Sequence, residues 1–223
     1  MAKPAVPTSN VRPRSRGTKA QTRELLIRAT LELLHSGGED AVTTVSVTRA
    51  AGVVQSMFYH HFVNVEECLA VAAERTAGQI REAVAEARCA MYLAGGQGRE
   101  LEQFYRGVFE LASAQRPTVE LFLRHRTDPL ALGGVMHRLA ADLRSDLARD
   151  MTEQAGRAGL PALPTGWVEA VADHLMGASW SAIESWLAGR GLGVEESARV
   201  LAAFSTGACQ GVIDAAAAPL TAP

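Results

Sequence analysis

From about Thr18 onward, apolar residues recur at intervals of three and four, and the alternation a half-buried strand needs is scarce. The pattern predicts an all-α protein. A first helix sets Leu25, Ile27, Leu31 and Leu34 along ELLIRATLELLHS and ends at Gly37-Gly38, the residue type that tolerates a left-handed conformation. Thr43 or Thr44 caps a short helix, TVSVTRAA, which stops at Gly52. After this turn QSMFYHHF forms a third helix, although Val54, at its capping position, has no side-chain oxygen. Asn64, with Glu67 three residues on, makes a capping-box-like start, and Glu66 adds negative charge at the positive end of the dipole. The alanine-rich helix that follows is expected to run to about Arg88.

Further along, Gly95, Gly96 and Gly98 break the chain, Arg116-Pro117 separates two helical runs, and Asp128-Pro129 opens another. A long amphipathic helix is expected from about Leu130 to Gln154, then a surface loop, GRAGLPALPTG. Two final helices, about Trp167 to Leu187 and Val194 to Ala217, are split by GRGLG. Both mix Ala, Gly and Ser with large residues such as Leu175, Trp180, Ile183, Trp186, Leu201, Phe204 and Val212. Small residues let helices approach closely, so these two could pair with their symmetry mates in a four-helix interface. The alternative is a core within one chain.

Charge changes this picture at one end. Residues 1–23 contain Lys3, Arg12, Arg14, Arg16, Lys19 and Arg23 and no acid; with a net charge of −2 overall, the rest of the chain stands at −8. With Pro4, Pro7 and Pro13, the first stretch has too little apolar surface to fold and reads as a mobile basic arm suited to phosphate or minor-groove contacts. It has no apolar h-region of the secretory kind, and no segment approaches the roughly 18 apolar residues of a membrane span, so a cytoplasmic location is expected and a membrane partner is not. Cys68, Cys89 and Cys209 lie far apart without metal-ligand spacing. No metal or cofactor is expected.

Three helices in about fifty residues, the second and third joined through Gly52, have the size and order of a helix-turn-helix domain. In this reading Val45, Ala50, Val53, Phe58 and Phe62 point inward, leaving Gln55, Ser56, Met57, Tyr59 and His60 on or near the outer face of the third helix. A glutamine amide can bond adenine bidentately, a serine several base edges, and a methionine can touch a thymine methyl; tyrosine or histidine can bond phosphate.

The stretch RELLIRATLELLHSGGEDAVTTVSVTRAAGVVQSMFYHHFVNVEECL resembles the N-terminal domain of the TetR family of transcriptional regulators. The shared features are the glycine-ended helix, the Thr-Thr opening, Ala-Gly-Val and, most specifically, Phe-Tyr-x-His-Phe. The resemblance implies a homodimer that binds a palindromic double-stranded DNA operator through two third helices and releases it when a small-molecule effector fills the C-terminal domain. It also implies that Gln55, Ser56, Met57 and His60 read bases and that Thr44, Tyr59 and His61 touch phosphates. The charge distribution adds Arg14, Arg16 and Lys19 of the basic segment to the grip. Three positions depart from the family pattern: Val54 stands for a turn serine, Ser56 for a glycine, and Val65 for a lysine that touches phosphate. The expected organisation is a basic arm (1–17), a helix-turn-helix domain (18–63), a helical ligand-binding and dimerisation domain (64–217) and a short tail (218–223).

The middle helices are the expected place for an effector cavity. Phe104, Phe109, Leu121, Phe122, Met136 and Leu139 would supply apolar lining, Tyr105, His125, Arg126, His137 and His174 could orient a polar head, and Trp180 completes the candidate set. A mainly apolar or amphipathic effector is expected. Enzyme activity is not, because the chain has no GxSxG elbow, phosphate-cradling glycine loop or HExxH. Two other readings are a thiol-based redox sensor working through Cys68, Cys89 or Cys209, and a helical dimerisation module whose DNA-binding domain has decayed.

Overall fold

A computed structural model of the chain describes residues 18–127, 131–160 and 162–217, and these are helical almost throughout. The helices are α1 (Lys19–Gly37), α2 (Thr44–Ala51), α3 (Gln55–Tyr59), α4 (Val65–Leu93), α5 (Arg99–Ala114), α6 (Arg116–His125), α7 (Ala131–Arg157), α8 (Thr165–Leu187) and α9 (Val194–Ala217), with a 3-10 turn at Glu39–Ala41. The expected basic arm and tail, with Arg14 and Arg16, lie outside the described residues.

Local chemistry sets the first boundaries. Thr18 caps α1 in a reciprocal box, its Oγ1 accepting from the Gln21 N–H while the Gln21 side chain accepts from the Thr18 N–H. Thr43 and Ser46 repeat the arrangement at α2. That helix closes in a Schellman turn: Val53 N–H donates to the Thr48 carbonyl at 3.0 Å, Gly52 N–H donates to that of Arg49 at 3.2 Å, and Gly52 sits at φ 68°, a left-handed conformation disfavoured for residues with a Cβ. Asn64 caps α4 by accepting from Glu67 N–H, but Glu67 reaches back to Val63 N–H at 2.6 Å, one residue earlier than a regular box.

The register of α2 corrects the expected inward face. Val45 and Ala50 are exposed, while Val47 and Thr48 are buried. Thr48 can be buried because its hydroxyl donates to the Thr44 carbonyl at 2.8 Å, which satisfies a group that would otherwise hold the residue at the surface. Helix α4 also runs about one turn past its expected end, because Arg88 and Met91 both find buried environments.

One hydrophobic cluster joins the N-terminal helices to the body of the molecule. It begins with Leu26 and Leu34 of α1, Val47 of α2, and Phe58 and Phe62, then continues through Leu69 and Ala73 of α4 to Phe122 of α6 and to Val135 and Leu139 of α7. A second cluster gathers Leu101, Tyr105 and Phe109 of α5 with Val119, Ile183 and Leu201. Helix α4 spans both, and its most extensive packing is against α7. Two arginines tie this pair: Arg81 donates to Asp146 at 2.7 and 3.0 Å and to Asp142 at 2.9 Å, and Arg88 donates to Asp150 at 2.5 Å. The Arg81 hydrogen bonds hold the Asp146 carboxyl below its ordinary pKa despite burial.

Candidate functional site

Helix α3 is short, and its conformation depends on its neighbours. Its N-terminus has no side-chain cap, since Val54 can offer none; a serine there would contribute about 1 kcal/mol. What holds α3 is Phe58, fully buried and packed 5.6 Å, centroid to centroid, from the Phe62 ring. With Phe58 turned inward, Gln55, Ser56, Tyr59 and His60 all face solvent, and Met57 is half-buried. Tyr59 is 60% exposed, a large area for an aromatic side chain, with one ring edge against Phe58. The structure therefore brings together an amide, two hydroxyls and an imidazole on one protruding surface. Thr44 stands half-buried at the first residue of α2.

The start of α1 lies beside the end of α3. His61, half-buried with its Nε2 enclosed and unpartnered, has its pKa pushed below the ordinary 6.5 by burial first and then by the positive charges of Lys19, Arg23 and His60. Lys19, expected among the DNA contacts, thus stands in one small cluster with His60 and His61. Arg23 also belongs to it, with its guanidinium carbon 5.1 Å from the Phe62 ring centre. Its position one helical turn after Lys19 was the available sequence signal. Val65 is partly buried against the hydrophobic core, so apolar packing takes the place of the missing cation.

In the body of the molecule a cavity of about 100 Å³ lies between α4, α5, α7 and α8, adjoining a second of about 300 Å³. Arg88, Phe104, Tyr105, Leu147 and Leu175 belong to both linings. Of the residues expected to line a cavity, Phe104, Tyr105 and Trp180 line the first. The remaining placements need correction. Phe109 is buried edge-on against Trp186 at 5.5 Å, and Phe122, Met136, Leu121 and Leu139 fill the core that joins α1 to α7. His125 pairs with Glu39 at 2.8 Å, Arg126 with Glu184, and His137 is exposed. His174 is exposed on α8, its Nδ1 2.6 Å from the Ala170 carbonyl, to which it donates. The α4 and α7 wall residues Ile80, Val84, Arg88, Leu143 and Leu147 were missed, since apolar periodicity identifies an inward face without distinguishing cavity from packed core.

The cysteines are free. Cys68 is buried, with Sγ 3.2 Å from Thr30 Oγ1; burial pushes this thiol up, as it does Cys209, and Cys89 is exposed. No helix among the described residues is long and apolar enough to cross a membrane.

A short exposed helix after a tight glycine turn, locked to a three-helix core and presenting polar side chains outward, defines a helix-turn-helix DNA-binding domain. Residues 26–72 match the tetR family of bacterial regulatory proteins, so this domain is of the tetR type. Solved structures extend the likeness in fold over most of the chain. A transcriptional regulator from Pseudomonas aeruginosa is 23% identical, with 90% of this chain and 96% of that one covered at a TM-score of 0.67. TetR-family regulators from Syntrophomonas wolfei and Mesorhizobium loti are 16% and 17% identical, with 86% and 90% of this chain and 96% and 98% of theirs covered, at TM-scores of 0.64 and 0.63. No curated protein matches the chain significantly.

Proposed function

We propose that the protein is a cytoplasmic, homodimeric, ligand-responsive repressor, which binds a palindromic operator through α3 and is released by a small, mainly apolar or amphipathic molecule. The observation that supports this most is the division of α3, with Phe58 wholly inside and Gln55, Ser56, Tyr59 and His60 outside on one surface. Gln55, Ser56, Met57 and His60 are the proposed base readers. Thr44, Tyr59, His61 and Lys19 are the proposed phosphate contacts, helped by Arg14 and Arg16. Residues 18–63 act as the DNA-binding unit and 64–217 as the effector and dimerisation unit.

Dimerisation is supported by what α8 and α9 leave uncovered. Trp167, Ala170, Gly177 and Ser181 on α8, and Val200, Ala203, Phe204, Gly207 and Gly211 on α9, are all exposed, and nothing lies within 4 Å of a Cβ built on Gly177, Gly207 or Gly211. Small residues beside large apolar ones suit close packing against a second copy, which would set two α3 helices about 34–36 Å apart for successive major grooves. The cavity supports the effector role because it touches α4, whose N-terminus follows α3 directly. Burial pushes the Cys68 and Cys209 thiols up, which weakens the redox reading at those two and leaves it to the exposed Cys89.

The location of the cations makes the DNA reading measurable. Each phosphate neutralised adds about 0.9 to the slope of log affinity against log salt. Removing residues 1–16 takes away Lys3, Arg12, Arg14 and Arg16 and is expected to give a shallower slope with the same sequence preference. An unchanged slope across a salt titration would make the arm a passive tail. Duplex DNA that the full chain fails to bind even at low salt would favour the decayed module.

A further inference from the structure

The polar side chains of the small cavity, with one exception, have hydrogen-bond partners within the protein. Its polar side chains are those of Arg88, Tyr105, Ser179 and Trp180, and the rest of its lining is aliphatic, aromatic or thioether. Arg88 donates to Asp150, the Tyr105 hydroxyl shares a hydrogen with Ser205 Oγ at 2.6 Å, and the Ser179 hydroxyl donates to the Leu175 carbonyl at 2.8 Å. Trp180 differs. Its indole Nε1 is buried with no hydrogen-bond partner. An indole nitrogen can only donate, and leaving a buried donor unpaired costs about 1–3 kcal/mol, which a ligand acceptor placed against it would offset.

Charge narrows the ligand further. Arg88 is the one cation in the wall, with a side chain only 4% exposed, and Asp150 already neutralises it. A carboxylate entering the cavity would compete with Asp150 for this guanidinium or add a second negative charge to a largely apolar space, at a desolvation cost. A neutral oxygen acceptor has no such cost and removes the deficit at Trp180. We infer that the effector is a neutral, mainly apolar molecule bearing a carbonyl-type oxygen, which accepts a hydrogen bond from the Trp180 indole N–H. The inference rests on the reading of this cavity as the effector site and adds the class of compound. A cavity of about 100 Å³ continuing into one of about 300 Å³ sets the scale of one aromatic ring with a short extension.

The test uses the full-length protein with 15N-labelled tryptophan, whose three indole N–H signals report separately on Trp167, Trp180 and Trp186. Three probes of similar shape are titrated: acetophenone, α-methylstyrene, which replaces the carbonyl oxygen with a methylene, and benzoate, which is charged. Acetophenone is expected to move the Trp180 indole proton downfield and to bind about five- to tenfold more tightly than α-methylstyrene, with benzoate weakest. In Trp180→Phe the first two probes should bind equally. Should that variant fold poorly, the wild-type indole shift decides alone. Equal affinity of acetophenone and α-methylstyrene in the wild type would overturn the inference and leave the cavity in place. Tightest binding by benzoate would overturn it in favour of an anion at Arg88. Binding by none of the three would remove the cavity reading and the inference together.

Discussion

Phe58→Ala is expected to destabilise the protein by about 3–5 kcal/mol and to abolish specific DNA binding. The ring is wholly buried, packs edge-on against Tyr59 and obliquely against Phe62, each at 5.6 Å, and belongs to the cluster that joins α1, α2 and α4. Because α3 has five residues and no side-chain cap, it cannot persist on its own helical propensity. Removing the ring therefore opens a cavity and releases the element that presents Gln55. Phe58→Leu, which keeps most of the volume, should lose considerably less stability and retain measurable binding. Denaturant unfolding with parallel DNA titrations separates the variants. A loss below about 1 kcal/mol in the alanine variant would mean that the rest of the core holds α3.

The second large effect is expected at the α4–α7 contact. Asp150→Ala leaves the Arg88 guanidinium buried without its partner, at a cost of about 3–5 kcal/mol. Replacing both members, Arg88→Met with Asp150→Leu, should restore most of the lost stability, because an apolar pair escapes the desolvation that the ion pair must overcome. The non-additivity of this cycle is the measurable quantity. Asp150→Ala costing no more than an exposed ion pair, under about 1 kcal/mol, would show that water in the adjoining cavity solvates Arg88. A change in helix–helix geometry here also has a route to DNA, because α4 runs from the end of the helix-turn-helix to the cavity wall.

Much of the DNA-binding region was legible before any coordinates. The glycine turn, the missing cap at Val54 and the outward set on α3 follow from turn chemistry and helical spacing, which act over a few residues. The α2 register did not, because a hydrophobicity pattern places a threonine at the surface, whereas Thr48 bonds its own helix and is buried. The reciprocal box at Thr18 was readable as T-x-x-Q, a signal overshadowed by the charge of the preceding arm. The cavity was the least legible part. Phe104 and Phe109 share α5 but lie about 140° apart around it, so one lines the cavity and the other packs on Trp186. Which aromatic meets empty space depends on α4, α7 and α8 far away in sequence. Arg88 carried no warning, since an arginine in an alanine-rich helix usually lies in solvent, as the side chain of Arg75 largely does.

The exposed face of α3 is proposed to read DNA sequence, and selection from a pool of random duplexes tests this directly. Wild-type protein is expected to enrich an inverted repeat. Gln55→Ala, which alters no buried contact, should keep its fold and its nonspecific binding, lose about 1–3 kcal/mol on the enriched site and relax preference at one position in each half-site. Enrichment of no sequence by the wild type would mean that α3 reads no bases, and an unchanged preference in the Gln55 variant would remove Gln55 from that role.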